Sequence, residues 1–293
     1  MKSKSPVVLA LVAALLAVPV FSWAAAAPKP VTNGGRQLPK KALYEELTPK
    51  EFKARLSAAP IAYLPLGTLE WHGEHLPLGS DGLQSKSFFI ELARKAGGVV
   101  LPMLFMGPDR QKEVGGKPLY GMDICADEHA YPDQQLPGSA YWMERGAFTQ
   151  YLEGVVAQLS RAGFKVVVAH GHGPSTGLFI RHIPDWSKKY NLKLFTCWRD
   201  DDSDGFGIQT DHAAANETSL MMALRPELVQ MGNLSKDPAV WPLAVGGKDP
   251  RTNASPEVGK KAVAMQVQRM TKLLREALRE TSQQRTDESK PGE

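Results

Sequence analysis

The chain reads as an α/β domain in which a mostly parallel central sheet carries helices on both faces. Three observations predict this. Short apolar runs alternate with helical patterns through the middle of the sequence. The runs are continuous rather than alternating, as expected of strands buried on both faces. Two of them end in glycine-rich turns that carry histidine, and in open α/β sheets ligands bind at the carboxyl ends of the strands. Strand candidates are residues 61–66, 99–104, 165–169 and 193–198. Helical patterns fall between them: 85–96 closing at Gly97, 148–162 closing at Gly163, and 176–190 with Pro184 as an expected interruption. Alternation of this sort favours parallel strands joined by crossover helices. A helix around 213–224 and an amphipathic one over 256–279 complete the pattern.

The ends of the 293 residues have a different character. Lys2 and Lys4 precede an apolar stretch at 7–21 and small residues at 24–27, the layout of a cleavable secretory signal over residues 1–26. The apolar run is short for a membrane anchor, which needs ~20 residues, so no stable span is expected after processing. Residues 27–41, rich in Pro, Gly and Lys, read as a flexible leader, 42–280 as a single domain, and the polar 281–293 as a disordered tail. Export permits Cys125 and Cys197 to pair. The formal charge of +4 falls to +2 once Lys2 and Lys4 are removed with a segment that holds no acids. With that small surplus, and with lysines and arginines dispersed, nucleic acid is excluded as a partner.

Residues 70–81, EWHGEHLPLGSD, hold Glu70, His72, Glu74, His75 and Asp81 directly after a strand candidate. In an extended chain Glu70 and His72 project from one face. The turn-forming Gly73, Pro77 and Gly79 then swing Asp81 back toward that face. Carboxylate and imidazole donors suit Zn, Mn or Fe. A lone Glu-x-His pair equally describes a polar loop. Here a second strand candidate ends in HGHGPSTG, 170–177, which brings two histidine-bearing turns to one rim of the sheet. Glu74 and His182 read as surface residues, and Asp200, Asp201, Asp202 and Asp204 as a solvated loop.

Three ordered motifs resemble the creatininase (creatinine amidohydrolase) superfamily: LPLGTLEWHGEHLPLGSD at 64–81, VVVAHGHGPS at 166–175 and DHAAANETS at 211–219, with a weaker echo in LPGS at 136–139. The resemblance spans residues 42–280. It implies a three-layer α/β/α fold, two divalent metal ions per subunit, and hydrolysis of a non-peptide, often cyclic, C–N amide bond in a small molecule through metal-activated water. It also implies a homo-oligomer, with a hexamer as the model. Carried over, Glu70, His72, Asp81, His172 and Glu217 are the expected metal ligands, with Asp81 as the bridge, and His212 is the expected catalytic proton carrier. His75, Trp71, His170, Gly171 and Gly173 are expected around the ligands or in the pocket wall, the glycines leaving room for the ions and offering backbone N–H groups.

Departures bear on what the site does. Creatininase proper has a glutamate two residues beyond the His172 position, where this chain has Pro174. Glu217 must then complete the second metal site, or the centre holds one ion. His170, Trp71, Ser175 and Ala214 also replace the family's usual residues, and 110–135 reads as an insertion. The expected activity is an exported metal-dependent amidohydrolase. Its alternatives are a family peptidase that trims a small modified peptide and a non-catalytic metal- or solute-binding member.

Overall fold

The computed structural model describes residues 32–33, 36–37, 41–124, 131–197 and 206–288. The expected signal at 1–26, Cys125 and the acidic run from Asp200 lie outside the described residues. In chain order, β1 (Thr32–Asn33) and β2 (Arg36–Gln37) pair with each other, and α1 (Pro49–Ala58) leads into β3 (Ile61–Leu66). After these come α2 (Ser80–Ala96), β4 (Val99–Val100), the antiparallel pair β5 (Gln111–Val114) and β6 (Lys117–Tyr120), and α3 (Arg145–Arg161). Next are β7 (Val166–Gly171), α4 (Gly173–Tyr190) and β8 (Lys193–Phe195). Finally come α5 (Ala215–Leu224), the short α6 (Pro250–Asn253) and the long α7 (Pro256–Glu288).

The central sheet has the order β4-β3-β7-β8 with every pair parallel. β3, β4 and β7 are buried on both faces, and the pleat divides the core in two. Ile61 and Tyr63 of β3 join Val166 and Val168 of β7 in one cluster with Phe88, Phe89, Met270 and Leu274 from α2 and α7. Ala62, Leu64 and Leu66 join Val167 and Ala169 in the other, with Phe148, Leu152, Phe179 and Trp186 from α3 and α4. Successive residues thus feed opposite helical layers, and the result is an α/β/α sandwich.

Local signals set the helix ends. Thr48 and Glu51 form a reciprocal capping box around Pro49 at the start of α1. Glu144 accepts the Ala147 N–H to start α3, and Asn191 closes α4 in the left-handed conformation. In α7 the buried Ala262, Gln266, Met270, Leu274 and Ala277 recur at helical spacing.

The structure also corrects boundaries. Only Val99–Val100 of the strand expected at 99–104 is regular, since Pro102 cannot donate to a ladder; Leu104 still bridges Leu66. β7 runs on to Gly171, so His170 lies inside the strand. Pro184 does not interrupt α4. The carbonyl it leaves without a partner belongs to Ile180, which is exposed, while Phe179 and Trp186 anchor the helix on either side. Eight residues of the tail expected to be disordered instead extend α7 to Glu288. A packed helix has already met its nucleation cost, so good helix formers such as Gln and Arg prolong it.

Leu274 is fully buried in the α2/α7 layer. Replacement by alanine is expected to cost about 2–5 kcal/mol, read as a lower denaturant midpoint with an unchanged slope.

Candidate metal centre

The sheet's carboxyl-end rim gathers the charged motifs. Beyond β3 the chain stays extended, with Leu69 bridged to Ala140 and the Glu70 N–H donating to the Leu78 carbonyl at 3.0 Å. Glu70 and His72 therefore point the same way. A turn closed by Ser80 N–H to the Pro77 carbonyl starts α2, with Asp81 as its second residue. β7 delivers His172 immediately before α4. Glu217 sits in the first turn of α5 and accepts the Ala213 N–H at 2.8 Å. Helix N-termini favour negative charge, so the carboxyls of Asp81 and Glu217 sit where the backbone offsets part of the cost of ionising them.

Asp81 faces both ways. Its Oδ1 lies 3.3 Å from His72 Nε2 and its Oδ2 lies 3.1 Å from His172 Nδ1. Glu70 Oε1 is 3.0 Å from the same His172 nitrogen, and Glu217 Oε2 is 3.6 Å from His72 Nε2. The donors thus divide into two groups sharing Asp81, namely Glu70, Asp81 and His172, and His72, Asp81 and Glu217. A third overlapping group is Glu70, His72 and His212. All five expected ligands are buried.

These residues fit divalent ions. His72 Nδ1 lies 3.2 Å from the Glu70 carbonyl, which can only accept, so Nδ1 donates there and Nε2 is the nitrogen turned toward the acids. That buried nitrogen makes no hydrogen bond. His172 Nε2 likewise meets the Pro108 carbonyl at 3.2 Å, which aims Nδ1 inward. Burial alone would lower the His72 imidazole, but Asp81 and Glu217 raise it to about 10. Against the same burial, Glu70 and Asp81 raise His172. Burial, reinforced by the nearby Asp81 charge, raises the Glu217 carboxyl. The cluster therefore holds protons at positions where donors converge, and protons so held are what a divalent cation displaces.

The neighbours fix these donors. Gln209 donates to Asp81 Oδ1 at 3.1 Å and accepts from Ser85 at 2.9 Å. Thr218 donates to the Ala213 carbonyl and so receives the His75 Nε2–H at 2.8 Å. His75 thereby ties the first motif to the helix that carries Glu217, and burial, followed by the charge on His72, lowers it to about 4. His212 stacks on His72 at 4.3 Å and donates Nε2–H to the Trp71 carbonyl at 2.8 Å, leaving Nδ1 as its basic nitrogen. Burial and the His72 charge lower its pKa.

A cavity of about 310 Å³ opens onto the cluster, lined in part by Gly171, Gly173, His212 and Asp109. Two expected pocket residues are elsewhere. Trp71 alternates with Glu70 and His72, so its indole turns away and donates to the Pro137 carbonyl at 2.7 Å. His170 is a satisfied core histidine between Thr196 and the Ile208 carbonyl, and burial lowers it to about 4. Sequence reasoning missed Gln209, Thr218, Asp211 and Asp109, which belong to the site. Burial raises the Asp109 carboxyl to about 6. Thr218 lies within the third motif, beside Glu217; Gln209 and Asp109 stand in no motif. Within the segment expected to be an insertion, β5 and β6 form a hairpin whose turn is Gly115–Gly116, and Gly121 lies at the cavity wall.

A family model described as creatinine amidohydrolase matches residues 45–274. The chain belongs to the creatininase family. The family model is named for an amidohydrolase, a hydrolase of non-peptide carbon–nitrogen bonds. A creatinine amidohydrolase of Pseudomonas putida is 25% identical over 224 residues, covering 69% of this chain and 80% of that protein. A 3-dehydro-scyllo-inosose hydrolase of Thermotoga maritima is 24% identical over 261 residues, 77% of each. The crystal structure of a creatininase superposes with a TM-score of 0.62 at 24% identity, covering 80% of this chain and 97% of its own, a likeness of fold. Solved creatininases of the same fold include a manganese form and a Zn–Zn form. In this family member Pro174 opens α4, and Glu217 stands in the group with His72 and Asp81.

Asp81→Ala removes the carboxylate common to two groups, and elemental analysis is expected to find metal content lost altogether rather than in part. Gly171 has φ +144, and a Cβ there would stand 1.8 Å from the Leu66 carbonyl oxygen. Gly171→Ala is therefore expected to destabilise the fold by about 3 kcal/mol or more, measured by chemical denaturation.

Proposed function

We propose that the chain is an exported amidohydrolase that opens a non-peptide, cyclic C–N amide in a small molecule, using two divalent ions shared across Asp81. The observation that carries this reading is the pair of Asp81 oxygens turned toward imidazoles from different segments, His72 and His172. Glu70 and His172 would hold one ion with Asp81; His72 and Glu217 would hold the other. When bound, such ions lower the pKa of water and polarise a carbonyl oxygen. Zn, Mn and Fe all accept these donors, and the manganese and zinc forms of solved relatives support the first two.

The protein's own groups do the rest. His212 Nδ1 takes a proton and returns it to the leaving nitrogen, while its Nε2–H bond to Trp71 holds the ring in place. Gly173, at the start of α4, lines the cavity, and its backbone N–H is available to stabilise negative charge that develops on the substrate. Asp211 caps α5 by accepting the N–H groups of Asn216 and Glu217, which sets the direction of Glu217. Among the described residues no helix is long and apolar enough to cross a membrane. The amino-terminal layout supports export, with a mature chain beginning near residue 27, and the family resemblance supports a homo-oligomer such as a hexamer.

The test is ring opening, followed by mass spectrometry, over a panel of lactams, cyclic ureides, short peptides and, because of the inosose hydrolase relative, a hydroxylated ring ketone. Turnover of a cyclic amide by zinc- or manganese-loaded protein, lost on chelation and restored by metal, is expected. Turnover that persists without metal overturns the reading. His212→Ala is expected to lower kcat by about 10²–10⁴-fold, with metal content measured alongside. Amino-terminal sequencing of the protein from cell fractions tests export; a cytoplasmic chain that retains residues 1–26 contradicts it.

A further inference from the structure

The faces of the His172 ring are packed by residues outside the metal-holding groups. The Pro108 carbonyl at Nε2 and the acids at Nδ1 set the line through its two nitrogens. The plane of the ring is another matter, because the torsion about an imidazole's Cβ–Cγ bond is broad and roughly two-fold. Packing must set it. The Trp142 indole lies 6.2 Å from the imidazole, centroid to centroid, at 48°, within the range of favourable tilted ring pairs. The Gly107 backbone lies close as well: a Cβ built there would stand 3.1 Å from His172 Cδ2.

One short ladder carries these contacts. The Met143 N–H donates to the Gly107 carbonyl at 3.0 Å and the Gly107 N–H to the Tyr141 carbonyl at 3.4 Å, which pairs Gly107 with Trp142. Pro108, which receives the His172 Nε2–H, is the next residue along. Tyr141 holds φ +66 beside Trp142, a conformation that a non-glycine residue keeps only where its surroundings demand it.

The β5–β6 hairpin packs on the indole in turn. Tyr120, its last residue, stacks on Trp142 at 6.0 Å and 16°. Gly121 follows, with φ +53, and meets the indole's edge, since a Cβ there would stand 2.9 Å from Trp142 Cη2. The same position is 2.9 Å from Asp109 Oδ2 and 3.0 Å from Glu70 Oε2, so the end of the hairpin is fitted against a second member of the same donor group. Its far end is not: β5 is exposed throughout, and a Cβ at Gly115 or Gly116 would meet nothing within 4 Å.

We infer that Trp142, backed by Tyr120, is a positioning residue for His172: the indole sets the plane of the imidazole so that Nδ1 meets the ion held with Glu70 and Asp81. This rests on the two-ion centre of the amidohydrolase reading and gives the base of the hairpin a part in it. The other group takes its orientation elsewhere, His72 from the Glu70 carbonyl and Glu217 from the Ala213 N–H. Trp142 therefore serves one ion and not its neighbour.

The experiment is a cobalt titration followed by visible absorption in two single-ion backgrounds. His72→Ala leaves the group of Glu70, Asp81 and His172; His172→Ala leaves that of His72, Asp81 and Glu217. In the first background Trp142→Ala is expected to weaken cobalt binding at least about tenfold, the usual effect of losing a residue that orients a ligand, and to change the spectrum of the bound ion. Trp142→Phe, which keeps a ring against His172, is expected to recover the affinity to within about threefold. In the second background Trp142→Ala is expected to change the affinity by less than about threefold, because the effect requires His172. A loss of similar size in both backgrounds marks a general effect on the fold and overturns the assignment, as does an unchanged affinity in the first. So does a His72→Ala background that binds no cobalt, since that group then holds no ion for Trp142 to serve. Should Trp142→Ala fail to fold, Tyr120→Ala decides by the same comparison, with weakening expected in the first background alone. Turnover is scored separately. A wild type that opens cyclic amides while Trp142→Ala acts equally in both backgrounds keeps the amidohydrolase reading and loses this one; selective weakening in a protein that opens no cyclic amide does the reverse.

Discussion

The arrangement around Asp81 governs the rest of the site. A carboxylate withdrawn from water, with an imidazole on each oxygen, is tolerable only while positive charge sits beside it. His72 and His172 supply that charge as protons when they hold them, and divalent ions supply it more strongly. Glu70 and Glu217 add two further buried acids. The cluster is a costly concentration of like charge, which a fold retains only if something cationic stabilises it. The sandwich makes that cost bearable because the donors come from stiff elements: the ends of two paired parallel strands and the first turns of α2 and α5.

Rigidity continues one layer outward. Gln209 grips Asp81 by both its side-chain oxygen and its backbone carbonyl. His75 and Thr218 latch the first motif to α5, and Asp211 caps the same helix. None of these needs to touch an ion to matter, since a ligand whose neighbours hold its direction loses little freedom on binding. Asp109 differs in kind. Its Oδ1 accepts the Arg110 N–H outside the cluster, and Gly121 packs closely against its Oδ2.

The period of the strand made much of this legible. Two-residue alternation places Glu70 beside His72, and the continuous apolar runs at 61–66 and 166–169 mark the two strands that carry the motifs. The same alternation, applied to Trp71, sends its indole to Pro137, and applied to β7 it puts His170 in the core with Val166 and Val168 rather than in the pocket. Other features leave no local trace. Gln209 meets Asp81 across 128 positions of chain, Asp109 reaches the cavity from a loop with no periodicity, and Pro184 is carried inside α4 by packing that its sequence neighbours do not reveal. Motifs show which donors exist; only tertiary contact shows which residues orient them.

The exchange at Pro174 changes how the centre is held. A glutamate at that position would come from the same segment as His172, so one strand end would serve both groups. Proline offers no donor but suits the opening of a helix, where its fixed φ is already helical and its missing N–H would have had no partner. The remaining acid, Glu217, rides on α5, which packs mainly on α7 and α2. The group of His72, Asp81 and Glu217 therefore joins three separate elements, and its integrity depends on α5 lying correctly against the body. Binding an ion there stabilises that docking by the same free energy with which docking strengthens ion binding. Metal occupancy and the packing of α5 are thus two readings of one equilibrium, coupled through the His75–Thr218 latch and the Asp211 cap.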